Sequence, residues 1–193
     1  TGMLVVSDFR NMHIALGGEG APLVPEFHNQ LFFKPKSPRV VLNIGGIANY
    51  SNIKNTKDIW GTDVGPGNAL LDAYCNDFLG VAFDKGGKIA AKGKVDNIEL
   101  KQLLTNSFFK KRYPKSTGKE VFNIKMLSKR FLKKKPEDVL CTLVEFSAQS
   151  IIKSIVKNGH ENSEIIICGG GANNKGEKLF VMSPLKNKVI PVE

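Results

Sequence analysis

The chain has 193 residues, 41% apolar and 24% charged, with 28 basic against 18 acidic side chains for a net charge of +10. That length is one domain, or one domain plus part of another, and the apolar share is enough for a core, which excludes a disordered or low-complexity chain. No run approaches the roughly 20 apolar residues of a membrane helix, and the opening TGMLVVSDFR has no basic n-region and is broken by Asp8, so it does not read as a signal peptide.

In chain order, residues 3–6 (MLVV) predict a short buried strand and the glycine- and proline-punctuated 17–25 a loop. The KPKSPR run at 34–39 reads as a linker. Residues 39–44 (RVVLNI) are continuously apolar and predict a strand buried on both faces. After Gly45 and Gly46, residues 47–53 predict the returning strand of a hairpin, and 58–62 a shorter strand ending at Asp63. Pro66 suits a first helical turn, and Leu70, Leu71, Ala73, Tyr74 and Phe78 recur at helical spacing up to Gly80, a C-cap. Residues 84–120 are polar and turn-rich, with a helix around 97–104, and 120–132 predict an amphipathic helix. The longest helix spans 136–157, opened by Pro136, Glu137 and Asp138, with Leu140, Leu143, Val144, Ser147, Ile151 and Ile155 on one stripe. A buried strand (164–168), a glycine loop (169–174), a helix (175–183) and a last strand (188–192) close the chain. This ending is the mark of a parallel α/β sheet, and the hairpin makes that sheet mixed.

Much of the positive charge lies between Lys110 and Lys135 and reads as a solvated, lysine-rich surface. Nucleic-acid binding is disfavoured, because arginine is scarce there and Phe108, Phe109, Phe122 and Phe131 fit core faces. Cys75, Cys141 and Cys168 form no CxxC pair, which fits a reduced, cytoplasmic setting; neither they nor His13, His28 and His160 have metal-ligand spacing, so no metal site is predicted.

Four segments can carry chemistry. In Asn43–Asn49 (NIGGIAN), paired glycines end a buried strand, either for close approach to a ligand or for a tight turn. In Gly61–Asn68 (GTDVGPGN), a carboxylate just past a strand precedes two glycines and a helix N-terminus. Amides and dipole there suit phosphate, and Asp63 could hold Mg²⁺ or accept a proton; the alternative is a strand–turn–helix corner capped by Asp63. In Gly169–Asn174 (GGGANN), three glycines suit a nucleoside lying on bare backbone, or a helix-entry turn. Lys115–Glu120 (KSTGKE), taken alone, is a generic solvated segment. Two glycine elements after strands, one with a carboxylate, match a phosphotransferase of the actin-like, sugar-kinase type.

The chain resembles a specific family, the anhydro-N-acetylmuramic acid kinases. The runs that carry the resemblance are Asp8-Phe9-Arg10, Ala15–Pro25 with Phe27-His28, LNIGGIAN (42–49), DVGPGN (63–68) with Leu71-Asp72-Ala73, KSTGKEVFN (115–123) and CGGGANN (168–174), in family order along the chain. The resemblance implies an actin-like (ribonuclease H-like) α/β fold, incomplete here: residues 1–36 end a first domain and 37–193 form most of a second, nucleotide-binding one. It implies an ATP- and Mg²⁺-using kinase that opens 1,6-anhydro-N-acetylmuramic acid with water and phosphorylates O6, in cytoplasmic peptidoglycan recycling, by members that are often homodimeric. Asp63 would be the general base, worth roughly 10²–10⁴-fold. Gly45, Gly46, Asn49, Gly65, Gly67 and Asn68 would line the phosphate side, and Gly169, Gly170, Gly171 and Asn173 the adenosine side. Arg10, His13, Gly18, Gly20 and Pro22 would face the sugar.

Three departures qualify this. His13 stands where the family carries an Asp, which implies weaker or pH-dependent sugar binding. The family's N-terminal glycine-rich segment, with its SGTS-type run and an Asp, is absent, as are the closing C-terminal helices with an acidic residue. The chain is therefore expected to be a fragment, inactive unless an N-terminal half complements it. The alternative is an inactive remnant or a non-catalytic nucleotide- or anion-binding domain.

Overall fold

The computed structural model describes residues 2–55, 58–173 and 189–191. Strand β1 (Arg39–Ile44) turns at Gly45-Gly46 and returns antiparallel as β2 (Ile47–Asn55), with Leu42 opposite Tyr50. Strand β3 (Asp58–Pro66) pairs antiparallel with β2, and β4 (Glu164–Cys168) lies parallel to β1 on its other side, followed by β5 (Val189–Pro191). The mixed sheet thus has the order β3-β2-β1-β4-β5. The predicted 175–183 helix lies outside the described residues.

Six helical segments bear on the site. Helices α1 (Phe9–Ala15) and α2 (Pro25–Phe32) precede the sheet; α3 (Ala69–Tyr74) follows β3 and runs on into a π-helical turn. Helix α4 (Asn97–Leu103) is capped by the Asp96 side chain, which accepts the amides of Ile98 and Glu99. Helix α5 (Pro136–Lys157) crosses one sheet face, where Ala148, Ile151 and Ile155 meet Val40, Leu42, Ile44 and Ile165. It is long and apolar enough to span a membrane by length and composition, contrary to the sequence expectation, but most of it is buried in the core. Its first half joins α3, α4 and Phe108, Phe122 and Phe131 in a second core. On the other sheet face, Phe32 of α2 packs on Val41, Ile53 and Ile166. Each fully buried Leu, Ile or Phe contributes roughly 1.5–3 kcal/mol.

Several local expectations give way to long-range pairing. Residues 3–6 form no strand: Leu4 is 95% exposed, because the run finds no partner strand among the described residues. Strand β3 continues past residue 62 to Pro66, and α3 starts at Ala69 instead of Pro66, since Asp63, Gly65 and Pro66 stay in register with Asn49, Ala48 and Ile47. The 120–132 helix is replaced by short 3₁₀ turns at Ile124–Met126 and Phe131–Lys133. Asn123 caps the Lys125 amide, and buried Glu99 takes both the amide and the hydroxyl of Ser128, so side chains compete for the helix's own bonds. The middle lysines lie mostly at the surface, but Lys115 is 2% exposed.

Candidate active site

Position 63 depends on an irregularity in β3. Asp63 faces Asn49 and Gly65 faces Ala48, so Val64 is an extra residue. Such a bulge re-aims neighbouring side chains. Val64 enters the α5 core, while Asp63 turns to the 115–117 segment and is 4% exposed. Its Oδ2 accepts the Thr117 amide (2.8 Å) and the Ser116 hydroxyl (3.2 Å). Burial raises the carboxyl's pKa; those two donors and the charge of Arg10 oppose the shift, and Glu19 adds to it. Asp63 is thus a carboxylate of raised proton affinity within the electrostatic reach of one cation and one further carboxylate.

The predicted sugar-side residues form one small loop seated on β3. Arg10 donates to the Gly20 carbonyl, and His13 Nδ1 accepts the Gly20 amide at 3.0 Å. The His13 ring covers Gly18 so closely that a Cβ there would lie 2.1 Å from it. Pro22 packs on Gly61, two residues before Asp63, where an added Cβ would sit 2.4 Å from the proline ring. His13, Gly18, Glu19, Pro22, Trp60 and Gly61 line a cavity of about 650 Å³. Arg10 and His13 therefore hold the loop's own shape, a role that sequence reasoning did not assign them.

The predicted phosphate corner is arranged differently from the expectation. The amides of Gly67, Asn68 and Ala69 do not point to an open site: they donate to the carbonyls of Gly46, Gly45 and Gly46 at 2.8–3.0 Å. Gly67 is required because a Cβ would lie 2.1 Å from the Gly45 oxygen, and Gly65 (φ +155°) because a Cβ would lie 2.7 Å from Ser150. Lys119 lies over the Gly45-Gly46 turn, its Cε 3.3 Å from a Gly46 Cβ position.

In the third glycine element, Gly169 (φ +87°) packs on the end of β1, where a Cβ would meet Asn43 Oδ1 at 2.4 Å. Its bare backbone thus has an internal reason. Gly170 faces open space, Gly171 is buried, and the Gly170–Asn173 backbone forms a 3₁₀ turn. Gly170 and Asn68 meet across a cavity of about 350 Å³ also lined by Asp72, Phe83 and Asp84. Volumes of this order are typical of small-molecule sites. Sequence reasoning missed Ser116, Thr117, Lys119, Phe83 and Asp84. Only the first three had a signal, in the KSTGKE run, and that run taken alone reads as solvated loop.

A family model described as anhydro-N-acetylmuramic acid kinase matches residues 1–191. The chain belongs to the anhydro-N-acetylmuramic acid kinase family. A relative of that name from gamma-proteobacterium EBAC31A08 is 77% identical over 175 residues, covering 91% of this chain and 48% of its own length. Those of Aliivibrio fischeri (43% identical, 96% and 50% covered) and Pseudomonas syringae pv. syringae (47%, 91% and 49%) agree. The chain spans about half the length of the curated relatives it matches. Among solved structures, the Clostridium difficile activator of 2-hydroxyisocaproyl-CoA dehydratase with bound ADPNP aligns with a TM-score of 0.54 at 17% identity, over 89% of this chain and 59% of that one. The Acidaminococcus fermentans (R)-2-hydroxyglutaryl-CoA dehydratase component A gives 0.54 at 18%, over 86% and 59%. These likenesses show an actin-like, sugar-kinase-type fold for this kinase-family chain. At His13, the ring nitrogen accepts an amide proton, as an Asp carboxylate also can.

Proposed function

We propose that this chain supplies the nucleotide side and the general base of an ATP-dependent anhydro-N-acetylmuramic acid kinase. Asp63 accepts a proton from the water that attacks C1 of the anhydro sugar. The C1–O6 bond breaks, O6 takes the γ-phosphoryl group, and ADP leaves. The observation that carries this reading is the placement of Asp63. It is a buried carboxylate held by two donors on one oxygen, two residues past Gly61, which lines the N-terminal loop's cavity, and paired in the sheet with Asn49 just after the Gly45-Gly46 turn. Burial raises its basicity toward the working pH of a general base. ATP would occupy the cavity between Asn68 and Gly170, with Phe83 offering a flat apolar face and Lys119 a positive charge above the Gly45-Gly46 turn.

Among the described residues, no group of three or more His, Cys, Asp or Glu side chains could hold a metal. A nucleotide-borne Mg²⁺ needs only one or two carboxylates beside the phosphates. Asp72, half-buried in the same cavity, fits that need, whereas both Asp84 oxygens already accept the amides of Ile89 and Ala90. Bound there, the ion would neutralise phosphate charge. Free Cys75, Cys141 and Cys168 agree with the reduced cytoplasm as the place of action.

The test is ADP release from ATP and the anhydro sugar, by the chain alone and with the N-terminal half of the 77% identical relative added in trans. Asp63→Asn is expected to lower complemented turnover by about 100-fold or more while leaving ATP affinity within about threefold. Full turnover in that variant refutes the base assignment. Nucleotide binding without turnover in either arm supports instead a non-catalytic nucleotide-binding domain.

A further inference from the structure

Lys115 is 2% exposed, yet among the described residues no carboxylate pairs with it. Its Nζ donates to the Phe108 carbonyl at 3.1 Å and lies 4.2 Å from the ring centres of both Phe108 and Tyr113. Burial, with the charges of Lys157 and Lys111, pulls its pKa down to about 8. An unpaired buried ammonium is costly, so its presence calls for a reason beyond packing.

The main chain around it links this anchor to Asp63. The Lys115 amide donates to Thr62 Oγ1 at 3.0 Å, and the Lys115 carbonyl accepts the Asp63 amide at 2.9 Å and the Thr62 hydroxyl at 3.1 Å. The next two residues reach round to the Asp63 carboxylate, and both of their donors go to Oδ2. A carboxylate's terminal torsion is broad and two-fold, so an unheld Asp would present either oxygen. Arg10 and Glu19 act on this carboxylate from the opposite, N-terminal segment.

We propose that Lys115 is a positioning residue for Asp63. Its buried amine anchors residue 115 to the Phe108 carbonyl while its main chain bonds Thr62 and Asp63 of β3, so that Ser116 and Thr117 occupy Oδ2 and Oδ1 is the atom presented to the reacting water. This assignment rests on Asp63 being the base, and its test is independent of turnover. Lys115→Met keeps a long side chain and removes the charge. The expected result is an unchanged or raised melting temperature, with Thr117 amide exchange about tenfold faster or more and no change at strand amides such as Val41 and Ile166. Ser116→Ala removes one donor from the charged form and is expected to raise the Asp63 titration midpoint, followed by NMR of its labelled carboxyl carbon and assigned with Asp63→Asn. Unaltered Thr117 exchange in the first variant, or an unmoved midpoint in the second, overturns the proposal. Core amides that accelerate together with Thr117 would make Lys115 a general structural residue and also overturn it. Loss of the base role itself shows separately, as retained turnover in Asp63→Asn.

Discussion

Gly67→Ala tests how the phosphate corner is built. The new Cβ would lie 2.1 Å from the Gly45 oxygen, 3.2 Å from its carbonyl carbon and 3.3 Å from the Ala48 nitrogen. Relief needs a shift of about 1 Å between the β1–β2 turn and the start of α3, because a Cβ contact under 3.0 Å is essentially never adopted. That turn accepts the amides of Gly67, Asn68 and Ala69. Each such bond contributes about 0.5–1.5 kcal/mol net, so losing two or three of them costs about 2–4 kcal/mol. Against a total stability of about 5–15 kcal/mol, and at about 2–4 °C per kcal/mol for a chain of this size, the melting temperature falls by about 5–15 °C. The assay is thermal unfolding followed by circular dichroism, with ATP binding measured on the folded variant. Gly170→Ala is the control, since its Cβ meets nothing within 4 Å. A Gly67→Ala protein that melts within about 2 °C of the parent would refute the reasoning, because the turn would then be free to move without loss of its bonds.

Two further predictions concern acid. Asp96 accepts from Arg130 Nη1 at 2.7 Å and Lys134 Nζ at 2.8 Å, and these hydrogen bonds hold its carboxyl well below the usual carboxylate range. A depressed folded-state pKa contributes stability that is present above the unfolded value of about 3.9 and lost as pH falls below it. Urea midpoints measured from neutral to acid pH should therefore fall less steeply below about pH 4 in Asp96→Asn than in the parent; parallel curves would count against the pairing. His28, whose Nδ1 lies 2.8 Å from Ser51 Oγ, ties α2 to β2, and burial lowers its pKa. Protonation then favours the unfolded chain, so stability declines as pH drops through about 6.5. His160 shifts in the same direction, through burial and Lys54. His28→Gln should accordingly reduce, and not abolish, the stability loss between neutral pH and about pH 5.5, read from the same urea series.

The amino-acid sequence by itself determined the elements whose signal is local, along with the family. The continuous apolar run of β1, the hairpin return and the Pro136–Lys157 helix with its buried stripe each depend on the periodicity of their own residues. The order of short glycine-rich runs was enough for the family resemblance, which the match over residues 1–191 establishes. The tertiary structure alone decided which polar groups meet. Lys115 is buried under two rings, and Ser116 and Thr117 serve a carboxylate more than 50 residues earlier. The amides after Pro66 close on a turn 21 to 23 residues upstream, and Glu99 unmakes a helix by capturing Ser128. The reason is physical: periodicity reports which face of an element meets the core, whereas the partner of a buried donor or acceptor depends on how distant strands and loops come into register.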